Sequence, residues 1–432
     1  MRSSRLVVSL LATCAVSYSG AAMAQDSSVI ITRPLELDYD RGRNETVLER
    51  YRPEYAQIGI RSGGITVYPQ IQAGIGYTDN VYRSEANKQS DGFVSVNPSI
   101  RAQSNWSRHE LQVSAGGRFD RYFDASARNE SGYYVRGLGR VDASQTLSFV
   151  AEGQAGKTYE SPFASGTDAA LVGISNYDYN QQGIRGIITL SRNKFTLGYS
   201  RSEYDFNPIE LGNDTFISQA DRDRVVHSVA GQIEHALSPD TALFAQVSYA
   251  RTNYERSLLN GLANRDSDGY RALVGVNMDL SAFLRGAVGV GYTWRKYDSP
   301  LYGNVDGFSA EAKLEYFLSQ LTTLTFGARR LLEDSNFDAI GAYLDNRVSF
   351  RVDHELLYNL LLDGSVSYAK QDYIGSTRRN DIFQGSAGAR YLISPRFEAG
   401  LRGQYSYRDR SGLNYDGKLN EFRIATSLTF KY

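Results

Sequence analysis

The chain has 432 residues, and its 47 basic and 48 acidic side chains give a formal net charge of −1 at pH 7. This balance argues against a nucleic-acid partner, which requires a basic surface. After residue 25 the chain has no run of 18 apolar residues, which excludes a membrane-spanning helix. It is nevertheless rich in aromatic residues, with 31 Tyr and 19 Phe, and tyrosine suits a membrane–water interface.

The first 24 residues have the three regions of a secretory signal peptide. Arg2 and Arg5 supply the positive charge, an apolar segment follows, and Ala22-Met23-Ala24 provides a cleavage site of small residues. Cleavage there removes Cys14, the only cysteine, so we expect a mature chain without disulfides. A lipoprotein signal ending at Cys14 is the weaker alternative, because Thr13 suits a lipidation box poorly.

Residues 25–65 differ from the rest of the chain in composition and in the order of apolar and polar residues. They are charged and irregular, they include Pro34 and Pro53, and they show no sustained alternation of apolar and polar residues. We interpret them as an N-terminal periplasmic extension that docks a partner or restricts the lumen of the structure that follows.

From residue 66 to residue 432, apolar and polar residues alternate with the period of two that β strands show. In the last segment Phe422, Ile424 and Leu428 share one face with Phe430 and Tyr432, and the opposite face is polar. Such alternation is typical of a strand between lipid and a wet lumen. A final strand of this kind, with Phe430 and Tyr432 at its end, indicates an assembly signal of outer-membrane barrels.

The connections between these strands are alternately short and long. Eight short turns and nine long polar loops, such as those at 156–177 and 408–419, separate 18 strands. This arrangement predicts an all-β protein with a transmembrane antiparallel up-and-down barrel of about 18 strands (16–18), with the short turns in the periplasm. A propeller would need four strands per repeat where we find two, and a soluble sandwich would have shorter strands with a polar outer face.

Two sets of side chains follow from the assigned strand faces. Aromatic residues where strands meet long loops predict an outer girdle: Tyr77, Tyr122, Tyr133, Tyr199, Tyr249, Tyr292, Trp294, Tyr368, Tyr405 and Tyr407. The opposite faces predict an arginine-rich lumen: Arg101, Arg118, Arg136, Arg140, Arg271, Arg285, Arg329, Arg347, Arg351, Arg390, Arg402 and Arg423. Guanidinium groups bind carboxylates, so this wall either contacts acidic sugars or forms Arg–carboxylate networks that hold the lumen rigid.

Catalytic and metal-binding patterns are weak in this chain. The four histidines (109, 227, 235 and 354) have no metal-ligand spacing, and no serine occurs in a G-x-S-x-G context. Asp266-Ser-Asp268-Gly269 lacks the later ligands of a calcium loop. We therefore expect no catalytic residues, no metal, no cofactor and no enzymatic activity. His227 remains the one outward candidate for a lipase-like pair.

Several motifs near the start of the barrel resemble a family of putative β-barrel porins (type 2) from proteobacteria. They are the block Tyr51–Arg61 (YRPEYAQIGIR), then Tyr68-Pro69, Tyr77–Tyr82 (YTDNVY), Phe93–Pro98 and Trp106–His109. The resemblance implies a barrel in the Gram-negative outer membrane, contacting lipid and the barrel-assembly machinery. Some similar proteins are associated with capsule or exopolysaccharide export, fed by a periplasmic polysaccharide-export protein.

The favoured hypothesis is therefore a passive conduit that takes part in the export of an acidic exopolysaccharide. The first alternative is a general porin for small anionic solutes, and the second is a non-transporting adhesin or scaffold barrel whose long loops bind ligands outside the cell.

Overall fold

The computed structural model describes residues 44–163, 173–212, 215–280, 283–335, 337, 340–412 and 416–432. The predicted signal peptide and the first part of the predicted extension, residues 25–43, lie outside these residues. Within the described part no helix has the length and apolar character needed to cross a membrane.

Eighteen long strands make up the structure, and we number them along the chain. They are β1 (Ile65–Thr78), β2 (Asp91–Ser104), β3 (Glu110–Tyr122), β4 (Glu130–Asp142), β5 (Leu147–Tyr159), β6 (Asn176–Leu190), β7 (Asn193–Phe206), β8 (Arg224–Ala236), β9 (Thr241–Tyr254), β10 (Ser267–Leu280), β11 (Leu284–Tyr297), β12 (Val305–Ser319), β13 (Thr322–Asp334), β14 (Ala342–Leu357), β15 (Leu360–Tyr373), β16 (Arg379–Leu392), β17 (Phe397–Ser411) and β18 (Gly417–Lys431).

Each strand pairs antiparallel with the next, and the last strand pairs with the first. The closing register between β1 and β18 runs from Gln70 opposite Lys431 to Thr78 opposite Arg423. A sheet closed in this way has no free edge, so every strand finds hydrogen-bond partners on both sides. The predicted 18-stranded antiparallel barrel is confirmed.

The two faces of the barrel follow from the alternation of residues along each strand. Apolar side chains on one face are exposed, for example Val247 at 63% and Leu197 at 65%. Their neighbours along the same strands, such as Gln246 and Ser248, are buried. An outer surface of aliphatic and aromatic side chains is the surface that a barrel presents to lipid.

Nine of the ten aromatic residues assigned to the girdle lie on this outer face, and eight of them are exposed: Tyr77, Tyr133, Tyr199, Tyr249, Tyr292, Trp294, Tyr368 and Tyr405. Tyr407 is half-buried beside Asp409. Tyr122 was wrongly assigned. It is only 7% exposed and lies on the inner face, where its ring packs against Phe93 and its hydroxyl accepts a hydrogen bond from Arg423.

The connections have the predicted short and long alternation, but the strands run further than expected on the side of the long loops. β5 continues to Tyr159 and β17 to Ser411, beyond the loop starts at residues 156 and 408 that the sequence indicated. Within the described part of the predicted irregular extension, Ile60–Ser62 forms a short strand paired with β1. A second small hairpin, Ile209–Gly212 with Thr215–Ile217, stands in the β7–β8 loop.

A matched pair of substitutions at the middle of β14 tests the assigned faces. Phe350 is exposed on the outer face, and its neighbour Ser349 lies on the inner face. Phe350→Arg should prevent insertion, because a guanidinium facing lipid near the midplane costs about 2–4 kcal/mol. Ser349→Arg should insert normally, since it adds the same charge to a polar lumen. Heat-modifiable migration of membrane fractions on gels measures the outcome, and the opposite result would reverse the assigned phase.

Candidate functional site

The inner wall carries all twelve arginines that the sequence assigned to the lumen. They lie on the face opposite the exposed apolar side chains, and most of them contact carboxylates on their own strand or on a nearby strand. Arg351 is 2.7 Å from Asp353, Arg402 is 2.8 Å from Asp363, and Arg271 is 3.3 Å from Glu311. Arg140, Arg329, Arg347 and Arg390 have comparable partners.

Two of the assigned arginines have neutral partners. Arg136 donates to the side-chain oxygen of Gln154 at 2.8 Å. Arg101 lies over the ring of Tyr68, with its guanidinium carbon 5.0 Å from the ring centre. Among the described residues neither has a carboxylate within ion-pair distance, so both add net positive charge to the wall.

A second source of positive charge lies on the inner faces of β3 and β18, which are separated by β1 and β2 in the ring. Arg118 and Arg423 both contact Asp120, at 2.8 and 2.9 Å. Asp120 has no exposed surface, whereas both guanidinium groups keep some. Arg83 and Arg128 lie in the same cluster with Glu130 and Glu421, so four arginines face three carboxylates and about one unit of positive charge is left.

Two cavities lie end to end along this arginine wall. The outer one has a volume of about 790 Å³, part of it open to the lumen, and lies beside Arg83 and the loop residues Glu160 and Ser161. The inner one has a volume of about 1100 Å³, is open to the lumen in the same way, and reaches Arg390 and Glu398 near the short turns. Both are lined by Arg118, Arg402, Arg423 and Ala425. We call the shared residues Arg118, Arg402 and Arg423 the arginine strip.

The outer cavity is narrowed by the beginning of the β5–β6 loop, which crosses to the opposite side of the barrel. Phe163 is 2% exposed and packs against Ala369, Ile382 and Leu419 on the inner faces of β15, β16 and β18. Arg408 of β17 donates to the carbonyl oxygen of Pro162. A loop that starts at β5 and docks on β15–β18 forms a constriction between itself and the arginine strip.

The base of this loop is held by a buried ion pair. Arg222, in the β7–β8 loop, contacts both carboxylate oxygens of Glu160, at 2.7 and 2.9 Å. Ser175, at the other end of the β5–β6 loop, donates to Glu160 as well. Burial disfavours the charged carboxylate, but Arg222 and Ser175 outweigh it and lower the pKa of Glu160 below its ordinary 4.5.

Acidification should therefore loosen the loop base. A depressed pKa means that the ionised Glu160 stabilises the fold fully above pH 4.5, and that this stabilisation is lost as the pH falls through the folded pKa. We expect steady channel current at pH 7 and increasing current noise as the pH falls below 4.5. Glu160→Gln should be noisy at both pH values. Equal noise for both proteins across this range would contradict the role of Glu160.

Residues 44–52 line the inside of the periplasmic mouth on another part of the wall. The Asn44 amide donates to Leu280 O at 3.2 Å, and Val47 N donates to Thr323 Oγ1 at 3.1 Å. Arg285 contacts Glu49 at 2.7 Å as well as Glu315. Arg52 contacts Glu355 at 2.6 Å. This segment therefore follows the inner wall from β10 to β14; we call it the mouth clamp.

The residues considered for catalysis or metal binding do not come together. His227 stacks beside Tyr199 on the outer face, 2.9 Å from its hydroxyl. Asp266 accepts a hydrogen bond from Tyr254 N, and Asp268 contacts Arg251. No group of three or more His, Cys, Asp or Glu side chains within the described ranges could hold a metal ion.

The chain is similar to several solved structures, and its sequence matches the model of a known family. The solved structures that resemble the chain include three proteins of Pseudomonas aeruginosa. The outer membrane protein OpdK is 10% identical, with a TM-score of 0.45 over 85% of this chain and 98% of that chain. OpdL is 12% identical, with a TM-score of 0.43 over 86% and 99%. OccK2 (OpdF), solved in complex with glucuronate, is 11% identical, with a TM-score of 0.46 over 85% and 98%.

No curated protein matches the sequence. Residues 52–432 match the model of a family described as "Putative beta-barrel porin 2". The match covers all eighteen strands. It begins at Arg52, within the YRPEYAQIGIR block that carries the resemblance to this family. The chain belongs to this family and is a porin-like β-barrel of the outer membrane.

Proposed function

We propose that the barrel is a passive channel for small acidic solutes, such as sugar carboxylates, which pass along the arginine strip. The observation that carries the proposal is the pair of consecutive cavities that share Arg118, Arg402 and Arg423. A barrel of this strand number is wide enough for an aqueous passage. A planar guanidinium binds a carboxylate with two parallel hydrogen bonds, which favours this class of solute.

The distribution of charge supports an anionic rather than a cationic permeant. At the narrow part of the passage Arg118 and Arg423 share the carboxylate of Asp120, in a cluster where four arginines face three carboxylates. Towards the periplasm Arg390 and Lys431 share that of Glu398. Each group presents about one excess positive charge, so an anion meets two attractive positions in succession.

Export of an acidic exopolysaccharide is the second proposal, and the family resemblance together with the same arginine strip supports it. A polymer would need a continuous passage for several sugar rings at once. The docked position of Phe163 opposes this, because the loop must leave its contacts with β15–β18 before a chain could pass.

Planar-bilayer recordings in a potassium chloride gradient, combined with liposome swelling in glucuronate and in neutral glucose, test the first proposal. We expect steady conductance, a reversal potential on the anion side, and faster swelling in glucuronate than in glucose. Cation selectivity would contradict it. A closed barrel that conducts only after the β5–β6 loop is removed would favour polymer export.

A further inference from the structure

The floor of the inner cavity consists of neutral side chains that form hydrogen bonds. Gln72 of β1, Ser95 and Asn97 of β2, and Ser427 of β18 all line this cavity. Gln72 Nε2 donates to Ser427 Oγ at 3.2 Å. Asn97 Nδ2 donates to Gln72 Oε1 at 3.2 Å and to Ser95 Oγ at 3.3 Å. The four side chains form one hydrogen-bonded row across three neighbouring strands, and we call it the polar row.

Two glycines keep this row open to the cavity. Gly74 of β1 lies opposite Ser427 on one side and Ser95 on the other, and Gly400 of β17 lies opposite Ser427. Both glycines line the cavity. An added Cβ at Gly400 would lie 2.7 Å from Ser427 Oγ, so a side chain there would cover this hydroxyl. The side chains of the polar row are half-buried, and their remaining donors and acceptors can reach the lumen.

An arginine lies at each end of the polar row. In the ring, β17 with Arg402 pairs with β18, and β3 with Arg118 pairs with β2. Arg402 donates from one terminal nitrogen to Asp363 at 2.8 Å and from the other to Ser386 at 3.4 Å. A guanidinium has five N–H donors, so Arg402 can keep these partners and still bind a carboxylate.

The cavity also offers a small apolar surface. Leu48 of the mouth clamp and Leu361 of β15 belong to its lining. Its volume of about 1100 Å³ is sufficient for one sugar ring with its substituents. A sugar acid has a carboxylate, several hydroxyl groups and an apolar C–H face, and the cavity has a complementary group for each.

We propose that the polar row recognises hydroxyl groups, so that the passage prefers polyhydroxylated carboxylates to carboxylates of the same ring size and charge without hydroxyl groups. A site built to bind hydroxyl groups discriminates strongly against an analogue that lacks them, because its polar groups then lose water and gain no partner. The inferred preference rests on the proposed channel function, whereas binding at the polar row can be measured without any current.

Interruptions of the current in planar bilayers test the preference. Glucuronate and cyclohexanecarboxylate are added in turn to one side of the membrane as potassium salts. Both have a six-membered ring and one carboxylate, but only glucuronate carries hydroxyl groups. We expect glucuronate to interrupt the chloride current for about ten times longer, since it gains additional hydrogen bonds to neutral groups. Equal durations in a channel that conducts anions would overturn the preference and leave the proposed function standing.

A paired substitution assigns the effect to the polar row. Gln72→Met with Asn97→Leu removes both amides at similar volume. It should shorten the interruptions by glucuronate to those of cyclohexanecarboxylate and leave the latter unchanged. Gln232→Met with Gln246→Met is the matched control, because these amides bond each other at 2.9 Å on β8 and β9 and line neither of the two described cavities. Equal effects of the two pairs of substitutions would contradict the proposal.

Saturation-transfer NMR on the purified protein in detergent measures binding without current. Transfer to the protons of glucuronate should occur in the wild type and in the control, and should be lost in Gln72→Met with Asn97→Leu. Transfer in a protein that passes no current would contradict the channel function and keep the binding site. Anion current without any transfer would have the opposite meaning, since the channel function would stand and the polar row would bind no sugar acid.

Discussion

Phe163→Ser should raise the single-channel conductance about two- to threefold and make the current unsteady. The aromatic ring of Phe163 docks the β5–β6 loop on Ala369, Ile382 and Leu419. Removing a buried phenylalanine side chain costs about 3–5 kcal/mol, which is more than the hydrogen bond from Arg408 to the Pro162 carbonyl supplies. The loop should then leave the lumen and widen the narrow part of the passage. Planar-bilayer recording measures the change.

A matched control for this variant is Phe216→Ser, which removes a phenylalanine that is 61% exposed in the β7–β8 loop. It should conduct like the wild type. Arg408→Gln removes the second contact of the same loop and should give a smaller increase than Phe163→Ser. If Phe163→Ser inserts normally and conducts like the wild type, the β5–β6 loop does not form the narrow part of the passage.

The second large effect concerns ion selectivity. Replacing Arg118 and Arg423 with glutamine removes two positive charges beside the shared Asp120. A unit charge about 8 Å from a passing ion contributes about 0.5 kcal/mol even at the dielectric constant of water. Removing two such charges shifts the free energies of an anion and of a cation by about 1 kcal/mol each, in opposite directions. The ratio of anion to cation permeability should therefore change roughly thirtyfold, because 1.4 kcal/mol corresponds to a factor of ten. The reversal potential in a salt gradient should shift accordingly towards the cation side.

A third substitution separates a change in ion selectivity from a failure to fold. Arg118→Gln with Arg423→Gln leaves Asp120 buried without its partners, so the triple variant that adds Asp120→Asn should restore folding and give an intermediate reversal potential. Arg379→Gln, which removes an arginine paired with Asp372 at the outer end of the barrel, should leave selectivity unchanged. A reversal potential that is the same in all four proteins would show that the arginine strip does not line the ion path.

The fold could largely be predicted from the sequence, because the alternation of apolar and polar residues has a local physical cause. In each strand lipid solvates one face and the lumen the other, so side chains two residues apart share an environment. This alternation predicts the number of strands and the inward direction of residues such as Arg351 and Arg402. Tyr122 was misassigned because tyrosine is equally suited to a membrane interface and to a buried ring cluster, and its partners Phe93 and Arg423 come from distant strands.

The constriction could not be predicted from the sequence alone. Glu160 and Arg222 belong to different loops, and Phe163 docks on strands more than two hundred residues further along the chain. No periodicity connects them. The one local signal was a phenylalanine and a proline near the start of a long polar loop. The mouth clamp escaped detection for the same reason, since its contacts with Thr323 and Glu355 depend on the closed barrel.

The seam between β1 and β18 has a consequence for biogenesis. These two strands pair although all the other strands of the ring lie between them along the chain. The ring therefore cannot close until β18 has been synthesised and exported, and until then both margins offer unpaired backbone groups to other proteins. We therefore expect a chain truncated before β18 to be cleared by proteases rather than retained in the membrane.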